Sequence, residues 1–491
     1  MVLFRGLASD WRRRLAVCVL TVLFIVGVVW LSARPGRLPG VGGAPADPLT
    51  ARHVEEVLAG YVEDIGLPGA SAAVVQNGRV VTASGTGHTS TGQPLDGTTR
   101  MRIASLSKAF TAAAVMQLVA AGRIKLDGAV SGQLPGFELA DHRGKKITVR
   151  FLLQQRSGLS DATAPVPSLL QADSAADYLH QLSPSALRTD PGTHYEYSNT
   201  NYDVLAALVE AASGMRFNKY LSQYMFSPLG MVYTSTGGAQ PPDRGYNEML
   251  GWWYTRDELD GWRQGSGAVV TTAADMSLWL LAQLGQRPAV IDPASLIEMH
   301  TAGPGQDYAM GWVAGRSPGG QAAVDHSGNL FTYTSALMVV PGSNDAVVVL
   351  LNSATIQDLA YPLMTDLIGL TEGIRAGPAP RSLRVIDTVA ALLIGATLIA
   401  AVLGFARSTR WAIRRRQGRG WVLVLRLSWL LIPGLVLGGT RLLIEYLSGG
   451  RSVRWSEVIA LAPVVVLVLA VASLAGLVVL SSRVVRLRFR A

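Results

Sequence analysis

The chain has 491 residues and a formal net charge of +9; 49% of its residues are hydrophobic and only 16% are charged. Soluble domains carry about 25% charged residues, so this composition argues against both disorder and a wholly soluble chain. The one cysteine, Cys18, excludes an internal disulfide framework and a cysteine-rich metal site.

Leu15 to Leu31 is an uncharged apolar run preceded by Arg12, Arg13 and Arg14. Residues 1–33 therefore read as a signal anchor or a signal peptide. Leu31-Ser32-Ala33 is a poor cleavage site, which favours the anchor. Residues 34–50, rich in Pro and Gly, read as a linker. Thr50 to Ile65 predicts an amphipathic helix with Val54, Val57, Leu58, Tyr61 and Val62 on one face. Ala70 to Gln76 and Arg79 to Ser84 are β-prone runs joined by the hairpin signal Asn77-Gly78. Ser105 to Ala121 predicts an alanine-rich helix ended by Gly122, and Asn201 to Ala212 a second helix ending before Gly214. Thr334 to Val340 and Asp345 to Leu351 are β-like runs around the turn Pro341-Gly342-Ser343-Asn344. This order predicts an α+β domain over residues 51–371 whose sheet pairs early with late segments.

A second linker spans residues 372–384. Beyond it, residues 385–491 predict a membrane domain with three transmembrane helices, at about 385–406, 421–444 and 458–482. Arg426 and Arg441 interrupt the middle one and lie close enough to its ends to snorkel; Pro433 predicts a kink there. Arginines cluster before the first apolar run, between Arg407 and Arg419, and after Ser482. Four alternating spans put all three clusters on one side, and the positive-inside rule makes that side cytoplasmic. Six of the eleven tryptophans fall at or near span ends. The clusters hold fourteen arginines against one acid, Asp10, so the rest of the chain sums to −4. Nucleic-acid binding thereby loses its support, and the lipid bilayer becomes the expected partner.

Ser105-Leu106-Ser107-Lys108 opens the alanine-rich helix, with Ser105 and Lys108 on one face. A serine at a helix N-terminus sits where a developing anion is favoured, and a buried lysine can take its proton. Alone, the pair also fits an N-cap serine beside an exposed lysine. Two later motifs decide against that: Tyr197-Ser198-Asn199 before a helix, and His326-Ser327-Gly328 before a β-like run. S-x-x-K, Y-x-N and H-x-G in this order resemble the serine β-lactamase and penicillin-binding-protein superfamily, nearest its class C β-lactamase, D,D-carboxypeptidase and esterase branch. Ser157-Gly158-Leu159 and Ser227-Pro228-Leu229-Gly230-Met231 agree with it.

The resemblance implies an antiparallel sheet flanked by helices with an all-helical subdomain. It implies Ser105 as acyl-forming nucleophile, Lys108 as its proton acceptor and Tyr197 as a proton shuttle. It implies substrate binding by Asn199, His326, Ser327 and Gly328. The backbone N–H groups of Ser105 and Asn329 would form an oxyanion hole. No cofactor and no metal are expected. The sequence departs from the family at Gln154-Gln155-Arg156 and at Asn329-Leu330-Phe331-Thr332-Tyr333, whose bulk could narrow the cleft. Gly315-Arg316-Ser317-Pro318-Gly319 matches the α/β-hydrolase elbow formally, but Pro318 lacks the N–H that the elbow needs, so it reads as a turn. His194 could line the cleft, and Trp252, Trp253 and Trp262 read as core more than rim. The expectation is a membrane-anchored extracytoplasmic serine hydrolase of D,D-carboxypeptidase or esterase type, acting on cell-wall peptides or small esters. A β-lactamase and a non-turnover penicillin-binding sensor or scaffold are the alternatives.

Overall fold

The computed structural model describes residues 49–236, 242–259, 261–303, 305–447 and 450–488; the N-terminal apolar run, Cys18 and nearly all of the first linker lie outside them. Helix α1 (Ala51–Ile65) starts where the Thr50 side chain accepts the His53 N–H, and it ends at Gly66 in the left-handed region. Val54, Leu58, Tyr61, Val62 and Ile65 are its buried face; Val57 is only half-buried. Strands β1 (Gly69–Gln76) and β2 (Arg79–Gly87) form the expected hairpin. Asn77 and Gly78 both have positive φ, as a two-residue hairpin turn that matches strand twist requires.

Helix α2 (Ser107–Ala120) follows a 3-10 turn at Ala104–Leu106, and helix α3 (Asn199–Ser213) ends at Gly214 with φ 73°. Helix α4 (Ala273–Gln283) precedes the late strands β3 (Val313–Arg316), β4 (Ala322–Asn329), β5 (Thr334–Val340) and β6 (Asp345–Leu351), and helix α5 (Ala360–Thr371) closes the domain. The six strands form one antiparallel sheet in the order β2-β1-β6-β5-β4-β3. Early thus pairs with late, with Ala70 opposite Leu351. Both faces are covered. Val74, Met338, Val347 and Val349 pack with α1 and α5; Val75, Leu337, Val339, Val348 and Leu350 pack in the larger core that holds α2, α3 and α4. Burial on both faces explains why β5 and β6 read as continuous apolar runs rather than alternating ones. Alanines make α2 thin enough to be buried almost all round, and its Phe110 stacks on Trp279 at 3.9 Å.

The Gly315–Gly319 segment starts in β3 and passes into a turn from Ser317. Its Ser317 Oγ donates to Glu372 Oε1 at 2.5 Å and the Gly319 N–H to Glu372 Oε2 at 2.7 Å. Residues 372–384, read as a linker, are pinned along their length. The Gly377 N–H donates to Asp366, Ser382 Oγ donates to Gln357, and Leu383 is buried in the α1/α5 core.

Among the described residues three helices are long and apolar enough to cross a membrane: Ser382–Ala406, Gly420–Leu447 and Pro463–Arg488. The middle one gives way to a 3-10 turn at Trp429–Leu431, just before Pro433, whose ring cannot sit in an uninterrupted helix. The last begins later than the sequence suggested. Trp455–Leu461 is a separate short helix, Ala462 leaves the helical region, and Pro463 opens the long one. A residue before proline avoids the α conformation, which accounts for the break. The N-terminal end of this last helix meets the α+β domain: Leu250 and Ile356 pack against the cluster of Ile386, Ala390, Val464 and Val465. Near its far end, Arg483 and Arg415 lie 4.8 and 5.2 Å from the Trp411 ring.

Candidate active site

Ser105 lies in the 3-10 turn that feeds α2. Its predecessor Ala104 holds φ +49°, a left-handed conformation that costs a non-glycine residue about 1–3 kcal/mol. The turn is clamped by Ser335 Oγ donating to the Ile103 carbonyl at 2.8 Å and by the Ile103 N–H donating to Val269 at 3.1 Å. Strand β4 runs close beside it. A Cβ on Gly328 would lie 2.5 Å from the Ile103 carbonyl oxygen, so only glycine fits. This packing brings the end of β4, where Asn329 stands opposite Thr334, against the nucleophile turn.

Lys108 is fully buried. Its Nζ donates to Ser105 Oγ at 3.0 Å, Asn199 Oδ1 at 2.8 Å and the Ser266 carbonyl at 2.9 Å. Three acceptors saturate an ammonium; a neutral amine keeps two of them and turns its lone pair to the third. Tyr197 OH donates to Ser105 Oγ at 2.8 Å. Burial pushes the Lys108 pKa down to about 7, with the Asp203 charge opposing the shift. Asp203, one helical turn after Asn199 on α3, accepts hydrogen bonds from the Gly265 and Ser266 N–H groups and from Ser266 Oγ, each at 3.1 Å. Three donors mark it as an ionised carboxylate, although burial pushes its pKa up. By fixing Ser266 it also aims that residue's carbonyl at Lys108. Tyr197 is 38% exposed as a residue, while burial of its hydroxyl pushes the pKa up.

The Tyr197-Ser198-Asn199 turn rests on the stretch that departs from the family. Gln155 is buried with φ +58°; its Oε1 accepts the Ser198 N–H at 3.1 Å and Asn201 Nδ2 at 2.5 Å. Ser198 Oγ donates to Asp161 Oδ1 at 2.6 Å. The departure at 154–156 is therefore a support, not a gap.

His326 is buried on β4 with Nδ1 at 2.6 Å from the Ser327 carbonyl and Nε2 at 3.3 Å from Tyr308 OH. Burial, then the Lys108 charge, lower its pKa to about 4, so it is neutral at pH 7. A charge-based grip on a substrate carboxylate is not what this imidazole offers. Nor does it bond Tyr197 directly; the two ring centroids are 6.2 Å apart, with Tyr308 against both. Ser327 and Gly328 follow it on β4, and Ser327 is the half-buried one. Of the bulk after Gly328, Tyr333 is buried in the core, and the N–H groups of Phe331 and Thr332 donate to Glu258.

A cleft of about 500 Å³ opens over Tyr197 and Asn199, lined also by His194, Tyr195, Asp161 and Arg451. The three tryptophans part company. Trp262 stacks on Tyr178 beneath Asn199, Trp253 is half-buried, and Trp252 is 79% exposed. Among the described residues no cluster of His, Cys, Asp and Glu is arranged to hold a metal ion. Sequence reasoning missed Asp203, Gln155, Asp161 and Tyr308. Asp203 had a signal, its four-residue spacing from Asn199 on one helix; Tyr308 had none.

A six-stranded antiparallel sheet flanked by helices, with a serine, a buried lysine and a tyrosine hydrogen-bonded at its edge, is a β-lactamase/transpeptidase-like fold. The Beta-lactamase family profile matches residues 54–366, and the chain belongs to that family. Protein flp of Staphylococcus aureus is 29% identical over 320 residues, covering 62% of this chain and 63% of flp. A D-aminopeptidase of Brucella anthropi is 28% identical over 323 residues, covering 62% and 60%. The chain thus spans less than two thirds of the length of these relatives. The octameric penicillin-binding protein homologue from Pyrococcus abyssi superposes with a TM-score of 0.59 at 22% identity, covering 68% of this chain and 80% of that one, a likeness of fold.

Proposed function

We propose that the protein is a membrane-anchored, extracytoplasmic serine hydrolase that works through an acyl-Ser105 intermediate on short peptides or small esters, with cell-wall D-amino-acid peptides as the leading class. The observation that carries this is the fully buried Lys108, which shares its amine between Ser105, Asn199 and Ser266. In its neutral form Nζ takes the Ser105 hydroxyl proton as Oγ bonds to the substrate carbonyl carbon. The N–H groups of Ser105 and Asn329 receive the oxyanion. Tyr197 OH hands a proton to the departing amine or alcohol as the C–N or C–O bond breaks. Water then attacks the acyl-enzyme by the reverse relay, releasing acid and Ser105. The D-aminopeptidase relative supports a D-amino-acid substrate class.

The test is covalent. Full-length protein treated with a fluorescent penicillin or an activated ester should carry one adduct, mapped by mass spectrometry to the peptide containing Ser105. No adduct with either probe, or one on another residue, sinks the reading.

The anchoring has its own test. The long helices run from the catalytic domain to the arginine-rich segment, which supports placing residues 407–419 and the C-terminus in the cytoplasm. With Cys18 replaced, an impermeant maleimide should label a cysteine put on an exposed site of the 51–371 domain and spare one at Gln417. The reverse pattern overturns the orientation.

A further inference from the structure

Arg451 stands in the wall of the cleft over Tyr197 and Asn199, yet it belongs to the loop between the last two apolar helices. From Gly450 on, that loop is held in place. The Gly450 N–H donates to the Glu445 carbonyl at 2.7 Å, the Val453 N–H to Glu445 Oε1 at 3.0 Å, and Val453 is buried. Arg454 and Glu457 then cap the short helix that follows. Gly450 lies against the catalytic domain, where a Cβ would sit 3.1 Å from Ala162 Cβ. From there Arg451 Nη1 reaches to 3.5 Å from Asp161 Oδ2, whose other oxygen accepts Ser198 Oγ. The same guanidinium borders a cavity of about 20 Å³, room for roughly one water, that also touches Asn199, Asp203 and Arg263.

We propose that Arg451 is a positioning residue of the active site: the loop between the last two apolar helices supplies the cation that offsets Asp161 behind the Tyr197-Ser198-Asn199 turn, so that the helical segment completes the catalytic centre. The charges facing Lys108 make the reason plain. Asp203 comes from α3, Asp161 from the segment after Ser157-Gly158, Arg263 from the stretch before Val269, and Arg451 from the helical segment; the His326 imidazole and the rings of Tyr197 and Tyr202 complete the surroundings. Two carboxylates face two guanidiniums, so a neutral Lys108 leaves the set balanced. Without Arg451 the set holds one uncompensated carboxylate, and that favours the protonated, non-basic lysine. The two acids raise and the two arginines lower the Lys108 pKa, in line with this count.

The inference rests on the acyl-serine reading and is tested by the pH dependence of acylation in the full-length protein, with an activated ester as probe. Arg451→Met should raise the midpoint of the acid limb by roughly half a pH unit to one unit, because the charge acts at longer range than a contact pair. At pH 7, the wild-type midpoint, that is a rate loss of about two- to fivefold, growing to about three- to tenfold well below it. Arg451→Lys should restore the midpoint, and Asp161→Asn should lower it. Adding Asp161→Asn to Arg451→Met should cancel the shift, which a merely structural lesion would not do. An Arg451→Met midpoint equal to wild type, or an Asp161→Asn midpoint that rises, overturns the proposal. If Arg451→Met fails to fold, the Asp161→Asn midpoint decides. Failure of wild type to acylate at Ser105 refutes the acyl-serine reading instead, so the two failures are distinguishable.

Discussion

Ser105→Ala and Lys108→Met, made separately in the full-length chain, are each expected to slow acylation by about 10³-fold or more. Ser105→Ala removes the only atom that both Lys108 Nζ and Tyr197 OH address. Lys108→Met keeps the volume of a buried side chain but leaves no group to take the serine proton. It also strands Asn199 Oδ1 and the Ser266 carbonyl without their donor. Since the two residues perform one step, the double variant should be no slower than the worse single one. The sign of the pH effect follows from the direction of the lysine shift. The chemistry needs the neutral amine, and a pKa lowered to about 7 makes that form dominant only above it. Wild-type acylation should therefore rise with pH through about 7 and level off, and Lys108→Met should lose that limb along with the rate. A Lys108→Met enzyme within about tenfold of wild type, or a wild-type rate flat from about two units below 7 to two above, removes the lysine from its assigned role.

Asp203→Ala should produce the largest stability loss of any single change at the site. Three donors, the N–H groups of Gly265 and Ser266 and the Ser266 hydroxyl, converge on this buried carboxylate. Each stranded donor costs about 1–3 kcal/mol, and three are stranded together. A loss of that size is a large fraction of a typical domain's 5–15 kcal/mol, so limited proteolysis and thermal scans should register it readily. Asp203→Asn keeps one acceptor oxygen and should cost less. It removes the counter-charge, however, so the acid limb of acylation should move to lower pH. If Asp203→Ala unfolds within about 1 kcal/mol of wild type, the carboxylate is not the support described.

Much of this arrangement is legible in the sequence because it is local. Asn77-Gly78 dictates a two-residue turn wherever it falls, and the Pro341–Asn344 turn fixes the β5–β6 pairing in the same way. The S-x-x-K spacing alone brings Ser105 and Lys108 together, since three residues nearly complete a helical turn. What escaped is long-range. Gln155 looked like a departure because its role is to hold a turn more than forty residues later. Tyr333 looked like an obstacle because its side chain's direction depends on a core the sequence does not draw. Val458 looked like the start of a span because apolar composition is blind to the break that Pro463 makes at Ala462. Arg451 carried no signal, being one arginine among 38 in the chain.

The pinned junction at residues 372–384 limits where catalysis can occur. Left free, the ten residues from Glu372 to Arg381 could extend about 33 Å and let the domain sweep a deep volume. Held instead by Asp366, Gln357 and the α1/α5 core, they give the domain no slack. On the proposed topology, Ser105 then stays at one height above the bilayer and explores space only as the whole molecule diffuses sideways. Substrates tethered at that height meet the serine at a raised effective concentration. Those that wander freely through the surrounding fluid gain nothing from the arrangement.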